Sequence, residues 1–228
     1  RAGDVLFENS EVVEIVAGPR ATLRTRAGEV GADWVVLACN GYLGGLETGT
    51  AARVMPVNNF IIATEPLGED GARRLIAGNA AVSDSRFVIN YFRLTPDHRL
   101  LFGGGETYGY RFPRDIPAFV RRPLAKVFPQ LADVAITHGW GGTLAITARR
   151  LPAFRRIGSC MLSAGGYSGQ GVTIAPLAGK TAAEAIRGQP ERSDFLAAIP
   201  HMPFPGGRLL RAPLLALAMS WYALRDRL

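Results

Sequence analysis

The segment Leu162 to Gly188 reads LSAGGYSGQGVTIAPLAGKTAAEAIRG: an apolar run, a bend of glycine and serine, then apolar positions at helical spacing. Glycine lets a ligand approach the backbone, and a helix N-terminus offers unpaired N–H groups and partial positive charge. A strand, turn and helix of this kind suit an anionic cofactor. The G-x-G-x-x-G that normally opens a dinucleotide fold does not occur ahead of it, so these residues read as half of a cofactor site. The same bend allows a second chemistry. Gly166-Tyr167-Ser168-Gly169-Gln170 approaches the G-x-S-x-G nucleophile elbow, with Asp194 and His201 following in α/β-hydrolase order. Gln170 stands where that motif needs its last glycine. A third reading of the glycines is purely structural, a tight strand–helix packing.

Composition narrows the partners. The chain of 228 residues is 48% hydrophobic and 20% charged, an ordinary globular balance with room for a core. Its net charge of +7 is nearly all arginine, because Lys126 and Lys180 are the only lysines. The arginines are scattered in pairs, such as Arg149/Arg150 and Arg155/Arg156, rather than gathered into the basic stripe of a nucleic-acid binder. The longest apolar stretch, Pro213 to Met219, is far shorter than the roughly 20 residues that span a bilayer. Cys39 and Cys160 form no C-x-x-C pair, which points to a reducing, cytoplasmic setting. His98, His138 and His201 lack metal-ligand spacing, so no metal site is expected. RAGDVLFENSEVV carries no signal-peptide core and no initiator Met, and the chain reads as a segment of a longer protein.

The elements that position these residues follow from periodicity. Val12–Val16, Ala21–Arg26 and Val30–Ala38 are expected to form a three-stranded meander, the last strand (WVVLA) covered on both faces and ending in a sharp turn at Cys39-Asn40-Gly41. Val57–Thr64 predicts a strand and Asp70–Ala77 a helix. Arg86–Leu94 and Arg99–Phe102 predict a hairpin about Thr95-Pro96-Asp97-His98. Asp115–Phe128 predicts a helix that Pro123 kinks or divides, and Val134–Thr147 a strand interrupted by glycines. The helix after the glycine bend should run from Thr173 to Arg187, with Pro176 in its first turn and Gly188 closing it. A final apolar helix is expected over Leu209–Leu224. Two layers of unlike character imply two intertwined domains: cofactor at 1–56 and 138–228, substrate at 57–137.

Five stretches together, WVVLACNGY, YFRLTPDHRLLFGGG, GWGGTLAITARRLPAF, GGYSGQGVTIAPLAGKTAAEAIRG and PHMPFPGG, resemble in order the C-terminal part of FAD-dependent amine and amino-acid oxidoreductases of the D-amino-acid oxidase/glycine oxidase class. The resemblance covers essentially the whole chain. It implies an α/β fold with α+β character: part of a Rossmann-like FAD-binding domain plus a mostly antiparallel substrate sheet with helices. It also implies a missing N-terminal βαβ unit, supplied in cis or in trans. The activity it implies is oxidation of a C–N bond by hydride transfer to flavin, the imine then being hydrolysed. A non-catalytic flavin-binding subunit or inactive fragment is the alternative.

By the same resemblance, Val12 meets the adenine, and Ala38, Cys39 and Asn40 lie beside the pyrophosphate and ribose. Gly166, Tyr167, Ser168, Gly169, Gln170, Gly171, Val172 and Thr173 wrap the ribityl chain and the pyrimidine edge of the flavin, and Trp140 lines its cavity. The dipole of the following helix would favour negative charge on that edge. Some relatives attach flavin through a Cys in the stretch matching THGWGGTLAITARR; no Cys occurs there, so non-covalent FAD is implied. Tyr91 and Arg93, two apart on a strand, share a face and could offer a phenol and a guanidinium to a substrate carboxylate; a core tyrosine and a surface arginine are the other reading. The relatives' carboxylate-binding Arg corresponds to Gly169, which fits a small-molecule amine whose carboxylate lies farther away. Oxygen or a quinone would accept the electrons. No side chain is assigned as a catalytic acid or base.

Overall fold

The computed structural model describes residues 3–86, 88–108, 110–207, 210, 213, 214 and 217. In chain order the elements are β1 (Val12–Val16), β2 (Ala21–Thr25), β3 (Glu29–Ala32), β4 (Val35–Leu37), α1 (Thr48–Ala51), β5 (Met55–Thr64), α2 (Gly68–Leu75) and β6 (Val82–Ser83). Then follow β7 (Tyr91–Leu94), β8 (Leu100–Tyr108), α3 (Ile116–Val127), β9 (Ile136–Ile146), β10 (Ala153–Ile157), β11 (Met161–Gly165), α4 (Gly171–Ile186) and α5 (Glu191–Ala197). Short 3₁₀ turns cover Asn40–Tyr42 and Pro129–Leu131. The chain divides into a first unit, Arg1–Met55 with Leu144–Arg211, and a second built on Pro56–Thr143.

In the first unit, β1, β2 and β3 form the antiparallel meander. The expected third strand breaks at Asp33-Trp34: residues 29–32 stay with β2, while 35–37 leave to pair in parallel with β11. The second sheet has the order β10-β11-β4. The expectation that WVVLA is covered on both faces does not hold, because β4 stands at the edge of this sheet with Val36 40% exposed. The fully enclosed strand is β11, all five of whose residues are buried. Met161 joins a cluster with Ala21, Val35, Leu37 and Ala51. Leu162 and Ala164 turn the other way, onto Ala178, Ala182 and Ala185 of α4. Small residues on α4 let it lie close on the strand, and each larger apolar side chain so buried contributes roughly 1.5–3 kcal/mol.

Helix α4 begins two residues earlier than its apolar spacing indicates, so Pro176 falls in the second turn and leaves the Val172 carbonyl without its usual donor. Gly188, at φ +88°, ends the helix, with its N–H on the Ala185 carbonyl and that of Gln189 on Glu184.

The second unit is a five-stranded sheet of order β6-β7-β8-β5-β9, with antiparallel β6–β7, β7–β8 and β8–β5 pairs. One face carries Phe60, Ile62, Leu94, Leu100 and Phe102 against Ala72, Val120, Leu124 and Phe128 from α2, α3 and its following turn. Phe92 lies parallel to Phe102 at 5.8 Å and edge-on to Phe128 at 4.9 Å. Pro123 does not divide α3, which runs unbroken from its Asp115 cap, a carboxylate accepting from the Ala118 N–H at 2.8 Å. Nor do Gly139 and Gly141 interrupt β9. A Cβ at Gly141 would lie 2.5 Å from Phe60, and one at Gly139 2.9 Å from Pro117, so these glycines admit neighbours. The hairpin strand expected from Arg86 starts only at Tyr91, and its Phe87 lies outside the described residues. Most of the expected Leu209–Leu224 helix also lies outside them.

Candidate functional site

Because β4 and β11 run parallel, their C-terminal ends emerge on the same edge, where open parallel sheets place ligands. Ala38, Cys39 and Asn40 leave β4 there, and the glycine bend leaves β11 beside them. Asn40, left-handed at φ +46°, turns its amide oxygen onto the Gly166 N–H at 3.1 Å. The structure thus brings together two of the stretches singled out in the sequence. Cys39 is half-buried, and burial pushes its thiol above the usual range, so it stays protonated.

The bend itself is held by three left-handed residues: Gly166 at +66°, Ser168 at +50° and Gly169 at +94°. Their reasons differ. A Cβ on Gly166 would strike Thr147 Cγ2 at 2.5 Å, so that glycine serves internal packing. A Cβ on Gly169 would meet nothing within 4 Å; it faces open space. Tyr167 is buried against Phe154, Ala164 and Ala178, which anchors the bend to the sheet. Gln170 precedes α4 without a side-chain cap, leaving the N–H groups of Gly171, Val172 and Thr173 unused by the helix. Val172 is 95% exposed.

Ser168 is not placed as a nucleophile. Its hydroxyl donates to the Gly166 carbonyl at 3.2 Å and accepts from the Thr147 N–H at 3.3 Å, and no histidine is among its hydrogen-bond partners in the described residues. The hydroxyl stabilises the turn. Val12 opens β1 opposite Thr25, and no hydrogen bond or core contact links it to the bend among the described residues. Trp140 lies in the second unit, on β9.

On the face of the second sheet opposite its core, Ile61, Tyr91, Arg93, Leu101, Gly103 and Trp140 contribute to an apolar cavity of about 350 Å³. Pairing of Tyr91 with Gly103 and of Arg93 with Leu101 sets the register of its floor. Tyr91 lays its ring across Gly103, where a Cβ would come within 2.1 Å of the ring, and donates its hydroxyl to Asn59 Oδ1. Burial, and then the Glu106 charge, push the phenol up to about 12, so it remains a donor across the physiological range. Arg93 is exposed and has no acidic partner among the described residues. The adjoining loop is tied by Asp84, which accepts from the Asn90 N–H at 3.0 Å and its amide at 2.7 Å.

Gly103 and Asn59, which hold Tyr91, were not singled out in the sequence; the signal was GGG lying one strand away from YFR. Also unanticipated is a half-buried network beneath the first site. Glu47 caps α1 through the N–H groups of Gly49 and Thr50, and Arg155 on β10 reaches both Glu47 at 2.7 Å and Thr50 at 2.8 Å. Burial raises the Glu47 carboxyl, but the Thr50 and Gly49 hydrogen bonds and the Arg155 charge outweigh it and hold the group below its usual value.

The first unit therefore presents a glycine bend, a helix N-terminus with free amides and a second turn, gathered at the ends of parallel strands. The open space at Gly169 and the amides that α4 leaves unused make room for an anionic cofactor such as FAD. The family model for FAD-dependent oxidoreductases (DAO) matches residues 1–185, and the chain belongs to that family. It is 45% identical over 227 residues to the gamma-glutamylputrescine oxidoreductase of Escherichia coli (strain K12), covering 99% of this chain and 53% of that protein. The probable oxidoreductase OrdL of Rhizobium meliloti (strain 1021) is also 45% identical, with the same coverage. The chain thus spans about half the length of the curated relatives it matches. Glycine oxidase from Geobacillus kaustophilus shares the fold at a TM-score of 0.66 and 20% identity, over 82% of this chain and 50% of that one. No helix among the described residues is long and apolar enough to cross a membrane.

Proposed function

We propose that the chain is the C-terminal part of an FAD-dependent oxidoreductase that oxidises a C–N bond of an amine resembling gamma-glutamylputrescine. The observation that carries this is the Asn40–Gly166 hydrogen bond, which closes two turns into one edge beside the open amides of α4. The name of the 45% identical Escherichia coli relative supports the substrate class. Gly169, Gly171, Val172 and Thr173 would hold FAD by main-chain contact, with Ala38, Cys39 and Asn40 alongside. FAD, when bound, supplies the two-electron acceptor for the C–N bond. The α4 N-terminus favours negative charge next to it. Tyr91, held protonated, and Arg93 orient the substrate, and the apolar walls at Ile61, Leu101 and Trp140 exclude water. Attachment of FAD is non-covalent. Both described cysteines are free, in keeping with a cytoplasmic setting, and oxygen or a quinone takes the electrons.

The remaining half, bearing G-x-G-x-x-G, acts in cis or in trans. The test is to purify this chain alone and together with that half, recording flavin absorbance and turnover of gamma-glutamylputrescine. Flavin retention with amine turnover by the assembled protein is expected. An assembled protein that retains no flavin, or retains it and oxidises only α-amino acids, would overturn the assignment.

A further inference from the structure

Arg93 lines the cavity, and Glu106, outside its lining, lies farther along the same face of the sheet. Arg93 pairs with Leu101, and the strand next to Leu101 offers Ala63. Tyr91 pairs with Gly103, itself opposite Ile61. Beyond that layer the β8 strand bulges at Gly104-Gly105, where Gly105 is left-handed at φ +78°, and Glu106 comes opposite Asn59. Residues directly opposite on paired strands share a face, and so do residues two apart. Asn59, Ile61 and Ala63 therefore line up on one side, with Glu106 at the Asn59 end and Arg93 at the Ala63 end. At about 3.3 Å per residue, the two ends are about 13 Å apart. The Tyr91 hydroxyl, bonded to Asn59, lies toward the Glu106 end. Between the ends the floor is apolar: Ile61, Leu101 and the Trp140 ring.

We infer that this face is a two-ended slot for an extended zwitterion, the carboxylate of Glu106 meeting the ammonium end and the guanidinium of Arg93 the carboxylate end. The inference rests on reading the cavity as the substrate side of the proposed oxidoreductase, and adds to it the residue at each end and the length between them. A plain α-amino acid carries both charges on one carbon and reaches only one end. A diamine lengthened by an acyl group that bears a carboxylate reaches both, and its methylenes lie on the apolar floor. The influence of Glu106 on the Tyr91 phenol agrees with the placement of its charge on this face.

The experiment uses the complete flavoprotein with two substrates, gamma-glutamylputrescine and N-acetylputrescine. The second keeps the amine, the methylenes and the amide but lacks the distal carboxylate and the α-ammonium beside it. Arg93→Gln should raise KM for gamma-glutamylputrescine at least tenfold and leave N-acetylputrescine within twofold. Glu106→Gln should raise KM for both substrates, with Glu106→Asp recovering part of the loss. ω-Amino acids of increasing chain length should inhibit the wild type best at an intermediate length, matching the separation of the two ends. Flavin content and thermal midpoint of each variant report whether it has folded, and the inhibitor series needs no variant. Equal effects of Arg93→Gln on both substrates, no effect of Glu106→Gln, or inhibition independent of chain length would overturn the two-ended slot. If the wild type oxidises neither amine, the proposed function itself fails, a result distinct from these.

Discussion

Exchanging Gly166 and Gly171 for alanine, one at a time, separates a glycine needed for packing from one needed for ligand approach. Gly166 sits at φ +66°, and its added Cβ would lie 2.5 Å from Thr147 Cγ2 in a buried turn. A left-handed alanine costs roughly 1–2 kcal/mol. Overpacking of a filled site adds roughly 1–3 kcal/mol. Gly171 differs: its φ is not in the left-handed region, and the nearest atom to an added Cβ is Tyr167 Cδ2 at 3.5 Å, an ordinary contact. There alanine is neutral for the fold or gains up to about 1 kcal/mol of helix propensity. The assay is thermal unfolding of the complete flavoprotein, with the FAD-to-protein ratio after gel filtration. Gly166→Ala should lower the midpoint by roughly 2–5 °C, at about 1 °C per kcal/mol for a protein about twice this chain's length. Gly171→Ala should keep its midpoint in the absence of added FAD yet lose bound flavin. A Gly171→Ala protein with full flavin content would refute the argument that the start of α4 lies against the cofactor.

Gly103→Ala forces the Tyr91 ring from its seat, so kcat/KM for the amine should fall on the order of tenfold or more while flavin content is unchanged; steady-state kinetics checks this. Tyr91→Phe removes only the bond to Asn59 and should cost about 1 kcal/mol in denaturant unfolding. Because its phenol is pushed up to about 12, the kcat/KM–pH profile between pH 6 and 9 should be the same with tyrosine or phenylalanine there. Glu47 has a carboxyl pKa lowered from 4.5, so it binds protons less readily when folded; its stabilisation is full above that value and disappears as the pH falls through the depressed one. Acid unfolding should lose this component in Glu47→Gln, with a cost at neutral pH of about 1–3 kcal/mol. Ser168→Ala should retain turnover, and a fluorophosphonate probe should leave the wild-type serine unlabelled, since its hydroxyl is engaged within the turn.

The legible parts of this fold were those in which a local pattern and its tertiary use coincide. The spacing of Ile174, Ala178 and Ala182 shows part of the buried face of α4, whereas Leu177 and Ile186, in the same apolar pattern, are exposed; β5 shows itself in Phe60–Ala63. The glycine bend was visible because composition and position agree. What stayed hidden depended on partners distant in sequence. Strand β10 was missed because Arg155 and Arg156 look like a solvated pair. In the fold they alternate across the strand, Arg155 to Glu47 and Arg156 over Trp34 at 5.5 Å. The division at Asp33-Trp34 was missed although Gly31 and Asp33 are poor strand formers; it is the parallel pairing of Val35–Leu37 with β11 that shows it. The differing roles of Gly166 and Gly169 could not be separated either. Sequence shows two glycines; only neighbouring atoms show which one faces Thr147 and which faces open space.

Asparagine at position 40 answers two demands at once, a left-handed backbone and a neutral acceptor for the main chain across the gap. Glycine would meet the first and leave the Gly166 amide orphaned in a buried turn; most other side chains would meet neither. The two loops are consequently one mechanical piece, joined by a single amide oxygen 126 positions away in the chain. Any redesign of the cofactor edge has to treat them as a pair, since remodelling one loop pulls directly on the other.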